Sequence, residues 1–293
     1  MITKQMTFYS NTYRLAASLY LPDDYKEGNK LPCLVACSGY MGLNVIYPAL
    51  FARGMTPKGY AVFGFDYRGF LDNEGPAGVC KLEEQVEDIR NAVAFCTTLP
   101  EVKADSIGVI GWAMAAGLAA KAAAYDERIK AVAGLNGFYC GERWMSKVFS
   151  YADFMKMKAE IASERVRMAK EGVRKYANPF HFYPLDPETD GVVQANLYTV
   201  DGYGQAISLE VGESIIDFDA EEAAWKIDVP FFVAHGKYNL LHPVSESEDF
   251  FSTLNCEKKF YLIEGKHNDF MFDNHPVFTE LLNEIDKFFR FLF

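Results

Sequence analysis

The segment SIGVIGWAMAAGLAAKAAA, residues 106–124, decides the fold class. Its first part, 106–112, is a continuous apolar run, which is typical of a buried parallel strand. The alanine-rich residues from about 113 to 125 predict a helix directly after it. Glycines flank the junction at Gly111 and Gly117, where small residues allow a strand and a helix to approach closely. A strand, a sharp turn and a helix in this order favour an α/β protein.

On both sides of this segment, short apolar runs alternate with helical periods. The pattern predicts strands at 13–22, 31–39, 61–69, 106–112, 130–137, 229–236 and 258–265, and helices at 82–99, about 113–125, about 143–174 and about 276–292. Strands that alternate with helices imply a mostly parallel central sheet with helices on both faces. We therefore expect a single α/β domain over residues 1–293.

One segment interrupts this alternation, from about residue 140 to residue 215. It begins with a charged helix and continues through NPFHFYPLDPETDG (178–191), and it lies between two core strands. Loops at the carboxyl ends of parallel strands commonly carry function. We therefore predict a helical lid over the site; the alternative is an insertion at the periphery.

Composition narrows the classes of partner and compartment. The formal net charge of −11 disfavours binding to nucleic acid and to anionic membranes. The first residues have no apolar core typical of a signal peptide, and no run reaches the roughly 20 apolar residues of a membrane span. The six cysteines show no CxxC spacing, which favours reduced thiols in a cytoplasmic protein. No metal-binding or cofactor motif is found, so we expect a small-molecule ligand and no cofactor.

The frame Gly111-Trp112-Ala113-Met114-Ala115 is similar to the G-x-S-x-G nucleophile elbow, with Ala113 at the serine position. With the stretches 65–75 (FDYRGFLDNEG), 229–243 (VPFFVAHGKYNLLHP) and 264–273 (EGKHNDFMFD), the chain resembles the α/β-hydrolase superfamily over nearly its whole length. Within it, the resemblance is to dienelactone-hydrolase-like esterases and polyketide-transferase-like proteins. It implies the α/β-hydrolase fold, and many such relatives form homodimers.

Carried over position by position, the resemblance implies a triad of Ala113 (nucleophile position), Asn239 (acid position) and His267. The oxyanion hole would use the backbone N–H groups of Met114 and Tyr40. Ala113 has no oxygen for attack, so hydrolysis through an acyl-serine is excluded. Asn239 can orient the imidazole but cannot stabilise an imidazolium. His267 is expected to have a low pKa and to act as a general base or acid.

Other residues are expected near this site. Trp112 and Tyr238, the sequence neighbours of Ala113 and Asn239, and His242 are predicted to contact the substrate. Cys37 and Cys140 are alternative nucleophiles, although each is more simply a buried apolar residue. Replacement carboxylates for His267 are sought among Asp217, Asp219, Asp269 and Glu142, whose default is solvation at the surface. Asp66 and Arg68 are interpreted as a structural pair, His235 as a core residue, and His181 as either a ligand contact or a surface residue.

Three functions follow from these residues. The first is an enzyme acting on a small carbonyl-containing molecule, aromatic or polyketide-like, by lyase, cyclase or isomerase chemistry that uses His267 and a backbone oxyanion hole. The second is a serine hydrolase of esters, lactones or C–C bonds in which the nucleophile has been changed to Ala113. The third is a pseudoenzyme that binds a ligand without converting it.

Overall fold

The computed structural model describes residues 1–41 and 43–293. Eight strands form one central sheet: β1 (Ile2–Ser10), β2 (Tyr13–Leu21), β3 (Leu31–Cys37), β4 (Ala61–Phe65), β5 (Val102–Trp112), β6 (Ala131–Leu135), β9 (Phe231–Gly236) and β10 (Lys258–Ile263). Two short strands, β7 (Tyr176–Ala177) and β8 (Ile207–Ser208), pair separately.

The strand order in the central sheet is β1-β2-β4-β3-β5-β6-β9-β10. Strand β2 runs antiparallel to β1 and to β4, and all neighbours from β4 through β10 are parallel. The predicted α/β-hydrolase fold with a mostly parallel sheet is confirmed. Because parallel strands end at the same edge, the loops after β3, β5, β6, β9 and β10 meet there.

The helices of the described chain are α1 (Tyr47–Met55), α2 (Leu82–Cys96), α3 (Ala115–Ala123), α4 (Gly141–Val148), α5 (Tyr151–Glu171), α6 (Pro187–Val192), α7 (Glu210–Ile216), α8 (Val244–Thr253) and α9 (Pro276–Leu292). They cover both faces of the sheet. Buried side chains of α2, α3 and α8 belong to one apolar cluster, and those of α1 and α9 belong to another. No described helix is long and apolar enough to cross a lipid bilayer.

Outside segment 140–215, three strands or α-helices were not predicted, and within the segment one predicted helix is wrong in extent. Strand β1 was missed because it is exposed over most of its length, and α1 and α8 were missed because both are short. The helix predicted over about 143–174 is two helices, α4 and α5. The break falls at Ser150, whose side chain caps α5 by accepting the backbone N–H of Asp153 at 3.1 Å.

A buried ion pair ties the loop after β4 to helix α2. Arg68 donates to Asp88 Oδ1 from Nε at 2.9 Å and from Nη2 at 2.6 Å, and its backbone N–H donates to Oδ2 at 3.1 Å. Asp88 is fully buried. The expected pairing of Arg68 with Asp66 is wrong, since Asp66 Oδ1 accepts the backbone N–H of Asn44 at 2.7 Å.

We expect Asp88→Ala to lower the free energy of unfolding by about 3–5 kcal/mol, because it leaves the Arg68 guanidinium buried without its carboxylate. Urea denaturation followed by circular dichroism measures this loss. The control is Glu87→Ala on the same helix, which removes a partly exposed carboxylate paired with Arg90 and should cost less than about 1 kcal/mol. Equal losses in the two variants would contradict the structural role of the pair.

Candidate active site

Ala113 lies in the tight turn between β5 and α3 and has a backbone φ of 53°. A left-handed φ is unfavourable for a residue with a Cβ, and such turns are common at functional sites. The strand and helix lie so close together that a Cβ on Gly111 would be 2.1 Å from the carbonyl oxygen of Ala115. The sequence therefore folds into a sharp strand–turn–helix that presents residue 113 at the edge of the sheet.

The loop after β3 reaches this turn from the neighbouring strand. A Cβ built on Gly39 would lie 3.1 Å from Ala113 Cβ and 2.9 Å from the carbonyl oxygen of Trp112. Tyr40, which follows Gly39, lines a cavity together with Ala113, and Met114 is buried at the beginning of the turn into α3. The two residues predicted to supply backbone donors therefore stand beside Ala113, on the two segments that meet there.

Asn239 and His267 come together from the loops after β9 and β10. Nδ2 of Asn239 lies 3.1 Å from Nδ1 of His267, and both side chains are buried. The Asn239 amide is oriented by its other end, because Oδ1 accepts the backbone N–H of His242 at 3.0 Å. The structure thus brings together the three positions Ala113, Asn239 and His267 that the sequence pattern joined.

The orientation of Asn239 decides where His267 carries its proton. An amide NH₂ group only donates, so Nδ1 of His267 accepts and the neutral ring carries its proton on Nε2. Burial and the neighbouring His235 lower the pKa of His267 to about 3, which keeps the ring neutral. In a hydrolase triad, a carboxylate accepts from Nδ1–H and leaves Nε2 free to take a proton. Here Nε2 presents an N–H instead.

Two more histidines pack around Asn239. His242 Nδ1–H donates to the carbonyl oxygen of Asn136 at 2.6 Å, and its Nε2 accepts from the Tyr183 hydroxyl at 2.8 Å. His235 accepts from the Ser247 hydroxyl at Nδ1 (2.7 Å) and donates from Nε2 to the carbonyl oxygen of His242 (2.9 Å). Burial lowers the pKa of His235 to about 4 and the pKa of His242 well below its usual value.

A small cavity of about 30 Å³ lies against Ala113 and His267. Its walls are mostly aromatic and aliphatic, with His267, Asn268 and Thr189 as polar exceptions among the described lining residues. The lining residues are Gly39, Tyr40, Tyr47, Ala113, Phe180, Tyr183, Leu185, Thr189, Val193, Leu197, Tyr203, Leu241, His267 and Asn268. Such a lining suits a small, largely apolar ligand with a polar end.

Part of segment 140–215 forms one wall of this cavity. Tyr40 donates from its hydroxyl to the carbonyl oxygen of Pro179 at 2.6 Å and stacks on Tyr183 with ring centroids 4.4 Å apart. Tyr183 in turn bonds His242, and Thr189 accepts from Asn268 Nδ2 at 3.0 Å. The segment therefore contacts the loops after β3, β9 and β10. Its action as a movable lid stays a prediction.

Three residues expected in the cavity lie elsewhere. The Trp112 ring is fully buried beneath the site, between Tyr47 and Phe270, and contacts His267 from below with centroids 5.4 Å apart. Tyr238 is half exposed and donates its hydroxyl to Glu264 at 2.7 Å on the outer surface. His242 lies behind Tyr183, with both ring nitrogens already bonded. The prediction that these three side chains line the cavity and contact a substrate there is therefore wrong.

Most of the alternative groups considered for this site contact other residues. Asp269 accepts the backbone N–H of Lys266, Asp219 that of Glu221, and Glu142 pairs with Lys158. His181 lies near the surface and pairs with Glu160. Burial raises the pKa of the Cys37 thiol, and it raises the pKa of Cys140 to about 11, so neither is activated as a thiolate.

Two asparagines that the sequence reasoning missed hold this site together. Asn136, at the end of β6 with a φ of 51°, accepts the backbone N–H of Gly236 at 2.7 Å and donates to the His267 carbonyl oxygen at 3.3 Å. Asn268, the sequence neighbour of His267, also lines the cavity. Asn136 could have been found from the sequence, because it is a polar residue directly after the apolar strand β6. For Asn268, the one indication was that it follows His267.

A model of the family described as "Serine aminopeptidase, S33" matches residues 29–275. The uncharacterized protein PA2218 of Pseudomonas aeruginosa is 31% identical over 186 residues, 61% of this chain and 49% of that protein. Its crystal structure matches with a TM-score of 0.83 at 24% identity, over 100% of this chain and 94% of that chain.

Two other relatives carry functional names. The quorum-quenching protein AidA of Acinetobacter baumannii is 31% identical over 126 residues, 43% of this chain and 40% of that protein. The acyltransferase drtE of Aspergillus calidoustus is 20% identical over 284 residues, 91% and 89% of the two chains. The chain spans about half the length of the curated relatives it matches first.

Proposed function

The chain belongs to the serine aminopeptidase S33 family of α/β-hydrolases, and on that premise we propose that it is an enzyme that acts on a small carbonyl compound without a serine nucleophile. In this proposal, the carbonyl oxygen is bound by the backbone N–H groups of Met114 and Tyr40 and by Nε2–H of His267. The substrate supplies its own nucleophile, as in a cyclisation in which a substrate hydroxyl adds to the carbonyl carbon and its proton passes to the carbonyl oxygen. Two features together support this proposal: the elbow turn is kept although residue 113 is alanine, and His267 carries its proton on Nε2.

No covalent acyl-enzyme forms at residue 113, because the alanine methyl group has no lone pair with which to attack. The elbow itself still serves a purpose in this scheme. We propose that it supplies the backbone N–H of Met114 as one oxyanion donor, with the N–H of Tyr40, from the loop after β3, as the other. Backbone donors of this kind stabilise a developing oxyanion by roughly 3 kcal/mol each.

His267 contributes a third donor in this proposal and not a base. Its Nε2 has no hydrogen-bond partner among the described residues, and the residue lines the cavity. A ring that stays neutral down to about pH 3 with its proton on Nε2 cannot accept another proton at that atom at neutral pH. The expectation of His267 as a general base is therefore replaced by a role in polarising the carbonyl group.

The relatives support a carbonyl substrate in general terms. An acyltransferase transfers the acyl group of a carbonyl compound, and drtE bears that name. The aromatic and aliphatic walls of the cavity suit the apolar body of an aromatic or polyketide-like molecule. We keep the ligand class at this level: a small neutral molecule with one carbonyl end.

Infrared spectroscopy of acetophenone labelled with ¹³C at the carbonyl tests the donor role of His267. We expect the carbonyl stretch of the bound ketone to move to lower frequency, and His267→Phe to reduce this shift. The lost hydrogen bond should weaken binding about 3- to 10-fold. His267→Gln keeps an N–H donor and should retain part of the shift. His181→Phe, at a partly exposed histidine of segment 140–215, is the matched control.

An unshifted carbonyl band in the unmodified protein would contradict the proposal. A pseudoenzyme shares the frequency shift but never forms product, so turnover of candidate cyclisation substrates separates the two. The inactivated serine hydrolase remains the second candidate, because the strained turn at Ala113 is the geometry that a nucleophile would need. Its test is the paired substitution described in the Discussion.

A further inference from the structure

We propose that the cavity recognises two polar groups on its ligand: a carbonyl oxygen at His267 and a neighbouring hydroxyl donor at the side-chain oxygen of Asn268. The ligand class is a carbonyl compound with a hydroxyl group on the adjacent carbon. This inference rests on the proposed function and adds the substrate class to it.

The direction of each hydrogen bond around Thr189 fixes the Asn268 amide. Asp186 caps α6 by accepting the backbone N–H groups of Glu188 and Thr189, both at 3.1 Å. Its carboxylate can only accept, so the Thr189 hydroxyl, at 2.5 Å, donates its proton to it. The Thr189 oxygen is then an acceptor for Asn268 Nδ2 at 3.0 Å. The amide NH₂ of Asn268 therefore faces Thr189, and Oδ1 faces away.

The Oδ1 atom of Asn268 is left as a free acceptor at the cavity. Asn268 is only 4% exposed, lines the cavity, and its Oδ1 has no hydrogen-bond partner within residues 1–41 and 43–293. Oδ1 is not among the fully buried atoms that lack a partner, but a ligand that covers it without donating to it would leave it unpaired, at a cost of about 1–3 kcal/mol. A ligand hydroxyl that donates to Oδ1 avoids this cost, so the site discriminates in favour of a ligand that carries a donor.

His267 and Asn268 are consecutive residues that present opposite polarities to the same cavity. Nε2–H of His267 donates, and Oδ1 of Asn268 accepts. The surrounding walls include Leu185, Leu197 and Leu241, which offer no competing polar group. A ligand with an apolar body and a single end bearing both a carbonyl and a hydroxyl matches this arrangement. A plain ketone or an ether leaves the Asn268 oxygen unpaired.

The test compares three probes by isothermal titration: acetophenone, its α-hydroxy derivative 2-hydroxy-1-phenylethanone, and the O-methyl ether of that derivative. We expect the hydroxyketone to bind about tenfold more tightly than the ether, as one buried hydrogen bond predicts. Asn268→Leu should bring this ratio to about one. Thr189→Val releases the amide orientation and should also lower the ratio, whereas Thr189→Ser keeps the hydroxyl and should preserve it.

The ratio within each variant is its own control for folding and for general affinity. Equal binding of all three probes to the unmodified protein overturns the donor-recognition inference while the carbonyl-binding function stands. A tenfold preference that persists in Asn268→Leu also overturns it, because another group would then be the acceptor. No binding of any probe to the unmodified protein overturns the proposed carbonyl site itself, and this inference with it.

Discussion

The double variant Ala113→Ser/Asn239→Asp should hydrolyse a short-chain aryl ester at least about 10³-fold faster than Ala113→Ser alone, since an asparagine at the acid position of a serine protease lowers turnover by about 10⁴-fold. The reason lies in the proton position on His267. With Asn239 in place, Nδ1 accepts and Nε2 carries the proton, so a serine at residue 113 would face a donor. The single variant therefore lacks a base.

Aspartate at residue 239 reverses this arrangement. One carboxylate oxygen keeps the backbone N–H of His242 at the position that Asn239 Oδ1 occupies. The other replaces the amide NH₂ and accepts from Nδ1–H of His267. The nearby negative charge also raises the pKa of the imidazole, so Nε2 becomes a base. Both substitutions are needed, and their effects on the transition state are strongly non-additive.

Labelling with a fluorophosphonate probe and turnover of p-nitrophenyl acetate measure this expectation. Ala115→Ser/Asn239→Asp is the matched control, because it places the new hydroxyl on α3 and not at the strained turn. An inert Ala113→Ser/Asn239→Asp protein that folds normally would show that the remodelled elbow no longer supports serine chemistry. That result removes the inactivated hydrolase from consideration and leaves the non-covalent function. Efficient labelling of Ala113→Ser alone would contradict the proton position assigned to His267.

Lowering the pH from 7 to 5.5 should reduce the free energy of unfolding by roughly 2–3 kcal/mol, with each buried histidine contributing roughly 1 kcal/mol. His235, His242 and His267 all have folded-state pKa values below the ordinary value of 6.5. Below pH 6.5 these histidines bind protons in the unfolded chain but stay neutral in the folded protein. Stability therefore falls as the pH drops through 6.5 and continues to fall towards the folded-state values, about 4 for His235 and about 3 for His267.

Asp66 acts in the opposite direction and limits the loss. Burial raises its pKa to about 6, so the folded protein binds a proton there before the unfolded chain does. That uptake offsets up to about 1 kcal/mol at pH 5.5 and is included in the net figure. Urea denaturation at pH 7.0 and 5.5 provides the measurement.

His235→Gln removes one of the three titrating rings and should shrink the loss by roughly 1 kcal/mol. His181→Gln, at a partly exposed position, should leave the loss unchanged. A stability that is independent of pH over this range would contradict the burial of the three neutral histidines.

Much of the fold follows from local pattern. The apolar run 106–112 and the periodic helix 82–99 were visible because burial on both faces and on one face leave distinct signatures. Strand β1 left no such signature, since it is an edge strand that is mostly exposed. The split between α4 and α5 depends on one capping serine, Ser150, within a charged stretch that reads as continuous.

Some features of the site could also be predicted from the sequence, and others could not. Ala113, Asn239 and His267 could be joined from the sequence because the resemblance to α/β-hydrolases implies one triad, and each follows a strand that ends at the same edge of the sheet. The proton position on His267 could not, because it depends on the backbone N–H of His242 meeting Asn239. The exposed position of Tyr238 and the role of Asn268 likewise depend on contacts between residues distant in the chain.

The left-handed turn at Ala113 has an evolutionary consequence. This conformation costs a residue with a Cβ roughly 1–2 kcal/mol, and the cost is the same for alanine and serine. Restoring a hydroxyl at this position therefore needs no new backbone conformation. A hydrolase ancestor or descendant of this chain would differ from it in side chains and would share its main chain. The proposed non-covalent function and a serine hydrolase would then differ by two substitutions on this scaffold, at residues 113 and 239. Evolution could make these two changes in either direction.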